Sequence, residues 1–142
     1  MSPGAFALLL GIIFGLVGLG GLVPGLTHPI DADAPPLLVS EGYGLVLGVV
    51  PVNAIANLSH LAFGVLGVAA WNAWFAPVTY ARLVTVTFTL VTMMGIAPGL
   101  GTAFGLAPLY GAAAVFHAAL AASAAIYAFP WRTPTLRARL TS

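Results

Sequence analysis

An all-α integral membrane protein, a bundle of four transmembrane helices, is the fold class that this sequence predicts. Three observations carry the expectation. The chain of 142 residues is 61% hydrophobic and only 5% charged, where a soluble domain is about a quarter charged. It contains four apolar stretches, each close to the ~20 residues that cross a hydrocarbon core of about 30 Å. Prolines stand at or near the ends of those stretches, at Pro24, Pro51, Pro77, Pro98, Pro108 and Pro130, where the ring is tolerated. The length suits one domain covering 1–142.

The stretches run over about residues 5–23, 52–71, 80–97 and 109–129. None holds an acid, and only Arg82, near one end of the third, is positively charged. Hydrocarbon offers backbone groups no partner, so each stretch must satisfy its own and is read as a helix. The first has no basic flank and no small-residue cleavage site of the signal-peptide kind, and it has a counterpart later in the chain. It is read as a helix of the mature protein. Residues 42–50 are apolar but too short to span, and are expected to form an interfacial or re-entrant piece leading into the second helix.

Charge sorts by side. Asp31, Asp33 and Glu41 fall in the first loop, while Arg82, Arg132, Arg137 and Arg139 fall on the opposite side of a four-span arrangement. The positive-inside rule makes the arginine side cytoplasmic, with both termini in. Trp71, Trp74 and Trp131 then lie at the cytoplasmic ends, where aromatic belts form. The expected location is a bacterial inner (plasma) membrane or a thylakoid membrane, crossed several times.

The chain also repeats itself. Gly21-Leu22-Val23-Pro24-Gly25-Leu26 ends the first helix and Gly95-Ile96-Ala97-Pro98-Gly99-Leu100 ends the third. In that register Phe14 matches Phe88, Leu16 matches Leu90, and Val17 matches Val91. Gly48-Val49-Val50-Pro51 resembles Gly105-Leu106-Ala107-Pro108, and nine residues after each second proline comes a histidine, His60 and His117. Trp74 and Trp131 correspond too. The expectation is two parallel tandem helical hairpins, about 5–74 and 80–131, related by an axis along the membrane normal.

Helix faces point to the site. Asn53, Asn57, His60, Gly64 and Gly67 follow at i, i+4, i+7, i+11 and i+14, which is one face of a helix. Lipid cannot satisfy asparagine or histidine, so this face should look into the bundle. Its glycines let another helix or a flat ligand come close. The fourth helix presents Tyr110, Ala113, Ala114, His117, Ala121 and Ala124 in the same way. The first carries Gly11, Gly15 and Gly18, suited to close packing. Thr85, Thr89 and Thr92 of the third can bond their own i−4 carbonyls.

His60 and His117 lie at matching depths, roughly 12–14 Å in at 1.5 Å per residue. Three roles compete for them. Each could donate to a carbonyl or an asparagine and pin the packing. The pair could ligate a tetrapyrrole, clamping a b-type haem or each holding a chlorophyll, with Asn57 and Gly64 lining the site. Or they could serve a proton or ion path, for which no acid lies in the membrane as a relay. His28 with Asp31 and Asp33 sits in a proline-rich loop where carboxylates are ordinarily solvated, so no metal site is expected. The absence of cysteine removes disulfides, thiolate metal sites and cysteine nucleophiles. The absence of lysine removes Schiff-base and P-loop chemistry. A net charge of +1 leaves no basic stripe for nucleic acid.

The run from Gly42 to Asn53, Gly-Tyr-Gly-Leu-Val-Leu-Gly-Val-Val-Pro-Val-Asn, followed by Asn57-Leu58-Ser59-His60-Leu61, resembles the DUF4383 family, bacterial four-helix membrane proteins of unknown function. Gly105-Leu106-Ala107-Pro108-Leu109-Tyr110-Gly111 with His117-Ala118 is similar to that family's second half in a form associated with cyanobacterial members. The family often carries a histidine where this chain has Ala56, and an acid where it has Ala113. Both departures remove polar groups from the membrane and leave His60 and His117 as the persisting pair. The resemblance implies a fold and no activity. The function expected is that of a non-enzymatic accessory or scaffold subunit of a larger membrane complex, with lipid and other membrane subunits as partners. A cyanobacterial member would make a photosynthetic complex a natural host. The alternative is a chlorophyll- or haem-b-binding protein using His60 and His117. A small transporter or channel comes third.

Overall fold

The computed structural model describes residues 1–129. Trp131 and the arginines at 132, 137 and 139 lie outside the described residues. The elements are α1 (Pro3–Gly20), β1 (Thr27–His28), β2 (Gly44–Val46), β3 (Val50–Val52), α2 (Ala54–Trp71), α3 (Pro77–Ile96) and α4 (Ala112–Ala128). α1, α2 and α3 are each long and apolar enough to cross a membrane. α4, apolar apart from His117 and Ser123, has 17 residues, the lower end of the range that spans. The chain is a membrane protein, with four helices among the described residues.

Local chemistry sets the helix ends a few residues from the expected ones. Ser2 caps α1, its hydroxyl accepting from the Ala5 N–H at 3.2 Å, and Pro3 takes the first turn, where its missing N–H costs nothing. α2 begins at Ala54 rather than 52 because Val52 belongs to β3 and Asn53 is the cap. α3 begins earlier than expected, at Pro77, for the reason given for Pro3. α4 begins at Ala112 because Gly111, at φ 60°, stands outside the helical region.

Residues 42–50, expected to be interfacial or re-entrant, contribute to a small antiparallel sheet of order β1-β2-β3. Its register pairs Thr27 with Val46, and Gly44 with Val52. Two short valine-rich runs around a turn at Leu47-Gly48 make a hairpin, and β1 adds an edge. Gly44 is needed there, since a Cβ would sit 2.6 Å from Thr27 Cγ2 and 2.7 Å from the His28 carbonyl oxygen.

The helices pack chiefly as two hairpins, α1 along α2 and α3 along α4. Glycine sets the first: a Cβ on Gly67 would lie 2.7 Å from both the Ala7 carbonyl oxygen and Gly11 Cα. The hairpins then dock on each other through large side chains. Phe6 of α1 stacks on Tyr127 of α4, with centroids 4.0 Å apart, and the Tyr80 hydroxyl of α3 donates to the Phe63 carbonyl of α2 at 3.0 Å. Phe14, Tyr80, Val84, Phe88, Leu120 and Ala124 fill the core between them. Of the three threonines expected to bond within α3, Thr85 and Thr92 do so, donating to the carbonyls of Ala81 and Phe88 at 2.8 and 2.6 Å. Arg82 donates from Nε to the Ala128 carbonyl at the end of α4, at 3.2 Å, a favourable place for a cation.

At the end where α2 and α4 begin, the two long loops are bonded into one cap. Leu38 and Val39 donate their N–H groups to the Gly105 carbonyl, at 2.8 and 3.2 Å. The fully buried Asn53 joins three segments. Its Oδ1 accepts from the Ala56 N–H at 3.0 Å, and its Nδ2 donates to the carbonyls of Val39 (2.8 Å) and Leu106 (2.7 Å). The Tyr43 hydroxyl donates to the Pro35 carbonyl at 2.9 Å. Its only proton is then used, so Tyr110, hydrogen-bonded to the same oxygen, is the donor of that pair.

Candidate functional site

The buried residues of α2 include Asn57, His60, Gly64, Gly67 and Ala70, the face that spacing predicts. Those of α4 include Ala113, Ala114, His117, Ala121 and Ala124, again the predicted face. Tyr110 is half-buried and precedes the helix.

Docking of the hairpins turns the two faces toward each other and brings His60 and His117 together, with ring centroids 5.8 Å apart and planes tilted by 39°. Aromatic rings surround the pair. Phe14 lies 5.9 Å from His60, and Phe88 lies 5.2 Å from His117 and 6.4 Å from His60. Phe116 approaches both, at 6.1 and 6.0 Å. Phe14 and Phe88 touch at 4.9 Å. His60 is 4% exposed and His117 5%.

One expected role for the histidines does not appear. If they pinned the packing through hydrogen bonds, each would donate to a carbonyl or to asparagine. Instead Nδ1 of each ring is enclosed without a partner, and so are both polar atoms of the Asn57 side chain. Asn57 sits against Gly21, where a Cβ would collide with its amide. Burying such groups unpaired costs roughly 1–3 kcal/mol each. Nothing within the described residues partners these four atoms.

A cavity of about 290 Å³ opens beside the pair. α2 lines it with Ile55, Ser59, His60 and Phe63, α3 with Thr87, Phe88, Val91 and Met94, the loop at 103–109 closes one end, and His117 enters from α4. Of the residues expected to line a ligand, His60 and His117 line this cavity; Asn57 lies against Gly21, and Gly64 against Gly11 and Gly15. Sequence reasoning did not mark the α3 wall, although the match of Phe14 with Phe88 in the repeat register was a signal for it. His28 is exposed on β1, and Asp31 and Asp33 line a separate shallow depression with Tyr110.

A further indentation, about 320 Å³, lies on the outside of the first hairpin. Gly15 and Gly64 form its floor, with Leu61, Val65, Val68 and Trp74 around them. A Cβ on Gly15 would meet nothing within 4 Å.

No curated protein and no solved structure matches the chain. A family model does, the one described as "Domain of unknown function (DUF4383)", over residues 5–130. With four apolar helices, the paired histidines and a match across most of its length, the chain belongs to the DUF4383 family.

Proposed function

We propose that the chain is a non-enzymatic accessory subunit of a larger membrane complex, in a bacterial inner or thylakoid membrane, with a photosynthetic complex as a natural host. The observation that carries this reading is the glycine-floored groove on the outer side of α1 and α2. The outer surface of the four helices is apolar, with Leu16, Leu58, Val65, Val86, Leu90 and Ile126 all exposed. In hydrocarbon such side chains gain nothing by leaving lipid, and association rests on close packing, for which glycine floors are suited.

The subunit is built, in this reading, from two parallel tandem hairpins. Equivalent turns support the repeat: Leu47 and Phe104 both take positive φ (52° and 60°), followed by Gly48 and Gly105 (72° and 86°). Their bonds correspond, with Gly48 N–H donating to the Leu45 carbonyl at 3.1 Å and Gly105 N–H to the Thr102 carbonyl at 2.9 Å. Gly25 and Gly99 agree likewise, at φ 94° and 78°. Equivalent side chains also meet, His60 with His117 and Phe14 with Phe88. Both termini are cytoplasmic in this proposal, on the side of Arg82.

Gly15→Leu tests the groove. A Cβ there meets nothing within 4 Å, so the larger side chain extends into the groove rather than into the helix contact. In native gels of mild-detergent extracts, the variant is expected to lose most of its co-migration with larger partners while keeping its helical circular dichroism. Undiminished co-migration would remove the groove from the proposal.

The histidine pair favours a second reading, tetrapyrrole ligation of chlorophyll or haem b by His60 or His117. With the rings in direct contact there is no gap for a macrocycle between them, so ligation would come from the cavity side through one histidine. On that second reading, an absorption spectrum of the purified protein, before and after dithionite, would show a Soret or red band stoichiometric with protein, lost in His60→Leu or His117→Leu. A spectrum with only the aromatic band, from a preparation that retains its lipids, eliminates this reading.

A further inference from the structure

The cavity beside the histidine pair carries an inference beyond the accessory-subunit reading and in competition with the tetrapyrrole one. Its walls are almost wholly apolar: Ile55, Phe63, Phe88, Val91, Met94 and Leu106. Its polar groups are two imidazoles and the hydroxyls of Ser59 and Thr87. Among the described residues no charged side chain lines it, which leaves phosphate and carboxylate ligands without a counter-charge. Both imidazoles line the cavity although each residue is more than nine-tenths buried. Their Nδ1 atoms are enclosed away from it, so Nε2 is the nitrogen each ring can present to the cavity.

The cavity also has a way in. Ser59 is exposed, Ile55 is 37% exposed and Leu106 47%, so the space reaches the outer surface of the bundle between α2 and the loop at 103–109. That surface is apolar, and a ligand would arrive from the bilayer rather than from water. The volume of about 290 Å³ stands at the lower edge of ligand pockets, about 300–1,000 Å³. One six-membered ring with short substituents fits such a space; a macrocycle of four pyrroles does not.

We propose that this cavity binds a membrane-dissolved single-ring ligand bearing ring oxygens, of the quinone and quinol class, with the imidazoles of His60 and His117 as its hydrogen-bonding partners. An uncharged imidazole has one donor and one acceptor nitrogen. It can donate to a quinone carbonyl or accept from a quinol hydroxyl, so the same pair serves either form. Phe63 and Phe88 line the space for the ring, and its hydrophobic tail leaves past Ile55 and Leu106 into lipid.

The chain contains three histidines, and the third, His28, is exposed on β1, which makes it an internal reference. The full chain, labelled with ¹⁵N-histidine in lipid nanodiscs, is titrated with a decyl-substituted benzoquinone. The expected result is a saturable shift of the His60 and His117 resonances at one probe per chain, with His28 unmoved. Ser59→Phe, an exposed position at the mouth, is expected to weaken the binding at least tenfold while leaving both histidine resonances in their folded positions. The proposal is overturned if neither buried histidine moves, if all three move in proportion to probe dissolved in the bilayer, or if Ser59→Phe binds as tightly as the original. A stoichiometric Soret band in the starting material, displaced by no amount of quinone, overturns it as well in favour of a tetrapyrrole.

Discussion

Gly67→Leu is expected to separate α1 from α2 and abolish the stable bundle. The added Cβ alone would stand 2.7 Å from the Ala7 carbonyl oxygen and 2.7 Å from Gly11 Cα. Both are backbone atoms of a helix and cannot rotate aside. The contact is reciprocal, because a Cβ on Gly11 would lie 3.0 Å from the Gly64 carbonyl oxygen and one on Gly64 would lie 3.1 Å from that of Gly11. Extra methylenes in a packed core cost about 1–3 kcal/mol where side chains can adjust. Here a whole helix must move outward and lose its contacts along its length, so the loss is expected at or above the top of that range. Thermal unfolding in detergent, followed by circular dichroism, should show a much lower midpoint for Gly67→Leu and an unchanged one for Gly15→Leu. Equal midpoints for the two would mean that glycine packing does not hold the hairpin.

Asn53→Ala is expected to have the next largest effect, at the other end of the bundle. The change removes a helix cap worth about 1 kcal/mol. It also strips the part-buried Val39 and Leu106 carbonyls of their donors, each hydrogen bond being worth about 0.5–1.5 kcal/mol. The sum is about 2–4 kcal/mol, and it falls on the cap that joins the two loops. Hydrogen exchange can localise it. The amides of Leu38 and Val39, which donate to the Gly105 carbonyl, are expected to exchange at least tenfold faster, with the middle of α1 unaffected. Unchanged exchange at those two amides would show that the loops hold together without Asn53.

The membrane class and the four helices were legible because hydrocarbon imposes one rule on every span, apolar side chains and self-satisfied backbone. The buried faces were legible for a similar reason. Asn57, His60, Gly64 and Gly67 share one side at helical spacing, and lipid rejects the first two. The sheet was not legible. Residues 42–50 form a short apolar run, and periodicity cannot separate a buried strand from other apolar segments at that length. Its partner strand is two residues, Thr27 and His28, too few to show any pattern. The role of Asn53 was misplaced for a related reason. Spacing put it on the helix face, whereas its position before the first helical turn makes it a cap, and its two carbonyl partners lie 14 and 53 residues away.

The sequence by itself determined that this chain lives in a membrane, which helix faces turn inward, and that His60 and His117 stand equally far from a proline. Equal spacing sets height and nothing about rotation or distance between helices. Only the tertiary structure decided that the two rings meet at 5.8 Å, that glycine on α1 rather than a ligand covers Gly64 and Gly67, and that α3 supplies the wall of a cavity beside the pair. The reason is physical. Those features depend on how two hairpins dock, and docking is set by the simultaneous fit of Phe6, Phe14, Tyr80, Phe88 and Tyr127 across the interface, a many-body packing condition that no spacing along one chain encodes.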